Sequence, residues 1–166
     1  MDECKPLNCG NALTAVARLG LRASILTKLS DDGAGQAILD EFAADGVDTS
    51  AVVIEPDKSS PFTYIIVDRA GSTRTCIHTP GQEFTPEEIS NEAIASMLEG
   101  ATLLYFDGRL TEVAVKVAAV AAGMGVPMLV EGERERDGQG LTLVHLPAQL
   151  EPFLTQNTTQ TPSTTP

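Results

Sequence analysis

Apolar positions over the first ~130 residues alternate between a helical period and short β-like runs, and the remainder of the chain shows neither. Leu13, Val16, Ala17 and Leu19 form a helical stripe that stops at Gly20, a residue suited to a left-handed cap. Ala23-Ser24-Ile25-Leu26-Thr27 reads as a short strand. Asp31-Asp32-Gly33-Ala34-Gly35 is a polar turn, with Asp32 placed to cap a helix that carries Ile38, Leu39 and Phe42 and stops at Gly46. Val52-Val53-Ile54 predicts another strand, bounded by Pro56. Phe62 to Val67 and Thr73 to His78 then flank Asp68-Arg69-Ala70-Gly71-Ser72, two β-prone runs around a glycine-bearing turn, which predicts an antiparallel hairpin. Its second arm is rich in Thr and Arg, so one face is expected to be wet or to close over a ligand.

Thr85-Pro86-Glu87-Glu88 carries a capping threonine, a first-turn proline and a capping-box glutamate. The helix it predicts continues through Ile89, Ala93, Ile94, Met97 and Leu98 to Gly100. Leu103-Leu104-Tyr105-Phe106 is an apolar run of strand length, suited to burial on both faces. Val113 to Ala122 predicts a helix rich in Ala and Val, and Pro127 to Val130 a second buried strand. Helices alternating with strands at these spacings imply parallel strands joined by helical crossovers. The expected class is α/β, Rossmann-like, with a β-hairpin insertion.

Composition narrows the function. With 42% hydrophobic and 20% charged residues, most of the 166-residue chain can bury a core of one ordinary domain. Eleven basic against twenty-three acidic residues leave a formal charge of −12, which repels phosphate backbones and anionic lipid. Neither nucleic acid nor membrane is therefore an expected partner. No apolar run approaches the ~18–20 residues of a membrane span, and Met1 to Pro6 has no secretory pattern. The expected location is cytoplasmic, or plastid if a targeting segment was lost with the N-terminus. Cys4, Cys9 and Cys76 form no Cys-x-x-Cys pair, and His78 and His145 lie far apart, so no zinc site is expected. After Val130 the chain becomes a charged loop over 131–138 and one isolated apolar run over 141–146. From Thr155 onward it holds six threonines, one serine and two prolines without periodicity, so a disordered tail is expected.

Ligands in open parallel sheets bind beyond the carboxyl ends of strands, where helix N-termini present free amides. Three segments qualify. Gly10 lets a ligand approach the backbone and the Asn11 amide can donate to and accept from hydroxyls, although Gly-Asn is also ordinary cap chemistry. Asp32 reads as a helix cap rather than a catalytic group, since no dinucleotide fingerprint or phosphate loop surrounds it. Asp107, directly after the strand ending at Phe106, offers either a carboxylate for a polyol or a solvated turn.

Gly10-Asn11, the apolar helix to Arg18-Leu19-Gly20, Ser30-Asp31-Asp32-Gly33-Ala34-Gly35 and Asp45-Gly46-Val47-Asp48-Thr49-Ser50 together resemble the ribokinase-like (PfkB) carbohydrate kinases. The likeness runs from about Asn8 to about Val130, and Phe62 to Asp68 with Tyr105 to Arg109 are most similar in wording to plant members. It implies a partial ribokinase-like domain over 1–136, a lid hairpin at about 60–79, and a divergent, disordered tail over 137–166. It also implies phosphoryl transfer from ATP, with Mg2+, to a sugar or nucleoside hydroxyl. Asn11 matches the family's sugar-contacting asparagine, Gly10 lies in the same loop, and Asp107 lies near a strand-end acidic residue that meets the sugar. Lid sheets in this family often pair between subunits, so the hairpin implies a homo- or hetero-dimer.

Several residues depart from the family pattern. Pro6-Leu7 stands where a glycine pair is expected, and Ser30 where glycine is usual. The Asp-Thr-x-Gly-Ala-Gly-Asp signature, which supplies the family's catalytic base and anion hole, does not occur, nor does its Asn-x-x-Glu segment. No catalytic residue, metal ligand or cofactor contact is identifiable in the chain itself. The expectation is a truncated kinase that lacks catalysis. The alternative is a sugar-binding or dimerising fragment that regulates a full-length kinase.

Overall fold

The structure is a computed structural model and describes residues 8–131. The expectations for the tail over 137–166, the apolar run over 141–146 and His145 lie outside those residues. The elements follow in the order α1 (Asn8–Arg18), β1 (Lys28–Ser30), α2 (Gly33–Ala44), β2 (Val53–Glu55), β3 (Phe62–Asp68) and β4 (Thr73–Thr79). A 3-10 turn (Pro86–Glu88), α3 (Asn91–Met97), β5 (Leu104–Phe106), α4 (Thr111–Met124) and β6 (Met128–Val130) complete them. They fall into two compact units, one ending at Phe84 and the other beginning at Thr85.

In the first unit β1 and β2 pair in parallel with Leu29 opposite Ile54, and α2 is the crossover between them. Ile38 and Phe42 of α2 lie one helical turn apart and bury against Ala23, Ile25, Leu29 and Val47, with Leu13, Val16 and Ala17 of α1 packed on the same cluster. The strand expected at 23–27 lies three to five residues later. Ala23 to Thr27 approaches the chain after α2 through an isolated bridge between Ser24 and Asp48, and ladder pairing starts at Lys28. The apolar signal marks burial of Ala23 and Ile25, whereas strand pairing follows the position of β2.

The hairpin forms as expected. β3 and β4 pair antiparallel from Phe62 opposite Thr79 to Asp68 opposite Thr73. Both of its faces are open to solvent. Tyr64, Ile66 and Ile77 on one face are 64%, 57% and 53% exposed, and Ile65 and Val67 on the other are exposed as well.

In the second unit β5 and β6 are again parallel, with Tyr105 opposite Leu129 and α4 as the crossover. Val113, Val117, Ala118 and Ala121 of α4 are buried, and Ile94 of α3 is 0% exposed. The single helix expected from Thr85 to Gly100 is broken. The Thr85 amide donates to the Glu88 carboxylate at 2.7 Å, as in a capping box, but Ile89 takes an extended backbone and Ser90 caps a fresh helix, α3. Lys116 Nζ donates to the carbonyls of Pro86 and Ile89, both at 2.7 Å, and so satisfies groups the break exposes. Leu103 also differs from expectation. It is 56% exposed rather than buried, Leu104 and Tyr105 are half-buried, and only Phe106 of that run reaches the core. A strand with one neighbour covers fewer of its side chains than a central strand does.

Gly35, in the first turn of α2, is required by close approach. A Cβ there would stand 2.0 Å from the Ser30 carbonyl oxygen and 2.6 Å from Ser60 Oγ. Gly35→Ala should therefore lower the urea-unfolding free energy by about 3 kcal/mol, at the upper end for overpacking. Truncating Ile94 to Ala should cost ~2–5 kcal/mol in the same measurement.

Candidate functional site

The three segments expected to meet a ligand are each built from a turn at the carboxyl end of a strand or the start of a helix. Gly10 is buried in the first turns of α1, and Asn11 beside it is exposed. Leu13, Val16 and Ala17 turn the apolar face of α1 toward the core, which leaves the Asn11 amide available to donors and acceptors in solution.

The second group is at the carboxyl end of β1. Asp32 Oδ1 accepts from the Gly35 amide at 2.8 Å and caps α2 as expected. Its Oδ2 accepts from the Ser60 amide at 2.9 Å, a contact 28 positions away in the chain. Ser60 is fully buried; its hydroxyl accepts from the Ser30 amide at 2.9 Å and donates to the Ser30 carbonyl at 3.4 Å. Asp31 Oδ1 accepts from the Asp57 amide at 2.9 Å, so the adjacent carboxylates Asp31 and Asp32 both hold the one loop between β2 and β3. The polar groups of Ser60, its hydroxyl first and then its amide, and the Gly35 amide hold the Asp32 carboxyl below the ordinary aspartate range.

The third group is at the end of β5. Asp107 is buried, with Oδ1 accepting from the Arg109 amide at 3.1 Å and Oδ2 4.0 Å from Arg109 Nε. The carboxylate thus stabilises its own turn. Gly108 adopts a left-handed φ of 70°, and a side chain there would meet the Glu131 carbonyl. Leu110 follows with a φ of 50°, uncommon for a non-glycine residue, and begins α4 without a side-chain cap. The Tyr105 hydroxyl donates to the Glu131 carboxylate and joins the ends of β5 and β6.

Gly10 and Asn11 belong to the first unit and Asp107 to the second. Two residues not singled out by sequence reasoning now stand out in the first unit, Lys28 and Ser60. Lys28 is a buried cation between Ile25-Leu26-Thr27 and Leu29, and a lone charge in that uncharged run was its available signal. Ser60, next to Pro61, reads as ordinary loop. Among the described residues no group of three or more His, Cys, Asp or Glu side chains is placed to hold a metal ion. None of the described residues is therefore assigned to Mg2+ or to the phosphates of ATP.

Because the Asp32 pKa is lower in the folded chain than the ordinary ~3.9, its contribution to stability is fully present above that value. It is lost as pH falls through the folded pKa. The stability difference between the wild type and Asp32→Asn, read from urea unfolding, should therefore be largest near pH 6 and shrink below pH ~3.9. Ser30 Oγ is buried with no hydrogen-bond partner among the described residues. Ser30→Ala should raise the unfolding free energy by about 1 kcal/mol, because it removes a hydroxyl that burial strips of water.

The solved structures that resemble this chain include three informative ones. A protein from Agrobacterium tumefaciens assigned as a ribokinase is 29% identical, with a TM-score of 0.67 over 81% of this chain and 43% of its own. An E. coli protein assigned as ribokinase II, in complex with ATP and Mg2+, is 17% identical, with a TM-score of 0.64 over 76% of this chain and 42% of its own. The adenosine kinase of Sinorhizobium meliloti is 24% identical, with a TM-score of 0.59 over 74% of this chain and 38% of its own. The last two likenesses are of fold. The chain spans 38–43% of the length of these three structures. No curated protein matches the sequence. Residues 9–132 match the pfkB family of carbohydrate kinases, and since that stretch holds both βαβ units and the hairpin between them, the chain belongs to this family.

Proposed function

We propose that this chain is the substrate-binding and lid portion of an ATP-dependent carbohydrate kinase, one that transfers a phosphoryl group to a sugar or nucleoside hydroxyl. The observation that carries the reading is the place where the hairpin leaves the body. It departs after β2, at the carboxyl edge of the β1–β2 pair, where α2 also begins. In α/β proteins that edge is where ligands bind.

In this reading Asn11 donates to and accepts from substrate hydroxyls, and Gly10 lets the substrate approach the helix backbone. The hairpin covers the substrate and excludes water. Asp32 and Gly35 shape the loop without touching substrate. Phosphoryl transfer needs a base that positions the nucleophile and donors that stabilise the developing charge. No Gly-Ala-Gly-Asp follows in this sequence. We therefore assign this portion no turnover of its own.

A second reading is favoured by the exposed Tyr64, Ile66 and Ile77 on one face of the hairpin. An apolar sheet face of this kind suits a dimer made through the hairpin, with a second copy or with a full-length kinase that this chain regulates.

Purified chain mixed with ATP, Mg2+ and a panel of sugars and nucleosides should release no ADP above background, while calorimetry or NMR titration should show saturable binding of one of them. Asn11→Ala should weaken that binding about tenfold, the value of one or two hydrogen bonds. Turnover by the chain alone would refute the non-catalytic assignment, and failure to bind any member of the panel would refute the substrate-binding one. Sedimentation with and without Tyr64→Glu tests the second reading, which predicts a dimer that this charge dissociates.

A further inference from the structure

The hairpin raises a physical problem. Every residue from Tyr64 to His78 is exposed, so apolar packing does not hold β3 and β4 against the body. Burial resumes only at the stems, with Ser60 at 0% on the leading side and Phe84 at 5% on the trailing side. The stems must therefore fix where the hairpin points.

Both stems are fastened to β1. On the leading side, Ser60 exchanges two hydrogen bonds with the Ser30 backbone and donates its amide to Asp32. On the trailing side, Lys28 Nζ donates to the Glu83 carbonyl at 2.8 Å. The same ammonium pairs with Glu55 of β2 at 2.5 Å, and the Lys28 side chain is almost fully buried. A buried ammonium gives up a hydrogen bond only at a cost, because water does not reach it to replace the partner it loses. The stems also touch each other. A Cβ at Gly81 would stand 2.7 Å from Pro61 Cδ, so only glycine permits that approach.

We propose that β1 is a two-point clamp that sets the angle of the hairpin, with Lys28 holding the trailing stem and Ser60 locking the leading stem as positioning residues. A hairpin held at one point swivels. Attachments at positions 28 and 30 of one strand, about 6.6 Å apart, remove that freedom and leave bending of the hairpin as the route to closure. The consequence for substrate rests on the reading of the hairpin as a lid, but the clamp itself involves only residues between 28 and 84.

The test uses the whole chain without sugar, so its outcome is independent of whether any substrate binds. In the wild type, hydrogen exchange at the Ser30 and Ser60 amides should be at least a hundredfold slower than at the turn over 69–72. Lys28→Met should speed exchange over 81–84 by about ten- to a hundredfold and leave Ile38 and Phe42 of α2 unchanged, while Lys28→Arg restores protection. Ser60→Ala should do the same at the Ser30 amide. Spin labels at Ser72→Cys and Asp40→Cys, with the other cysteines replaced by serine, read the stance of the hairpin directly. Their distance distribution should broaden in Lys28→Met and Ser60→Ala and narrow again in Lys28→Arg. A lysine and serine that merely add stability would leave it unmoved. Stem amides that exchange as fast as the turn in the wild type, or a distribution unaltered by both substitutions, would overturn the clamp.

Discussion

The first unit depends on one constraint: the backbone at the end of β1 is buried and must find hydrogen-bond partners. β2 lies along one side of β1, and among the described residues no second strand is paired with it. A serine thirty residues away fills the gap, with its hydroxyl bonded to both the amide and the carbonyl of Ser30. The same serine gives its amide to Asp32, which already caps α2. One buried serine thus joins strand, helix and hairpin stem, and Gly35 is glycine because nothing larger fits beside the joint.

This joint explains how a hairpin with two wet faces can belong to an ordered protein. An isolated two-stranded hairpin is marginal in water, and its stability must come from what it is attached to. Here the attachment is polar and concentrated in a few residues, while the strands themselves carry apolar side chains into solvent. That combination suits a surface that meets something else, a substrate beneath it or another hairpin against it. It accords with a chain that matches a carbohydrate kinase family and spans 38–43% of the length of the related structures compared here.

Much of the fold was legible because its signals are local. Asp32 reads as a cap from its place before a glycine-led apolar helix, and the cap forms with the expected partner, Gly35. The hairpin is legible from two β-prone runs around a turn, and its register runs from Phe62 opposite Thr79 to Asp68 opposite Thr73. The misread elements are those where a distant partner outweighs local propensity. Thr85 to Leu98 carries a sound helix pattern, yet the chain breaks at Ile89, where Lys116 from another helix donates to the released carbonyls. Ala23 to Thr27 looks more strand-like than Lys28 to Ser30, yet the latter pairs with β2. Of the candidate site, Asn11 is exposed, while the Asp107 carboxylate is engaged with the amide of its own turn.

The sequence by itself determined the class, the alternation of helix and strand, the hairpin and the family likeness, because periodicity, caps and turns act over a few residues. Only the tertiary structure decided that Ser60 completes the edge of β1 and that Lys28 holds the far stem of the hairpin. Those contacts join residues 30 and 55 positions apart. Nothing local distinguishes a loop serine that will be buried from one that will stay in water; the difference arises when folding removes the water that would otherwise have bonded to the Ser30 backbone.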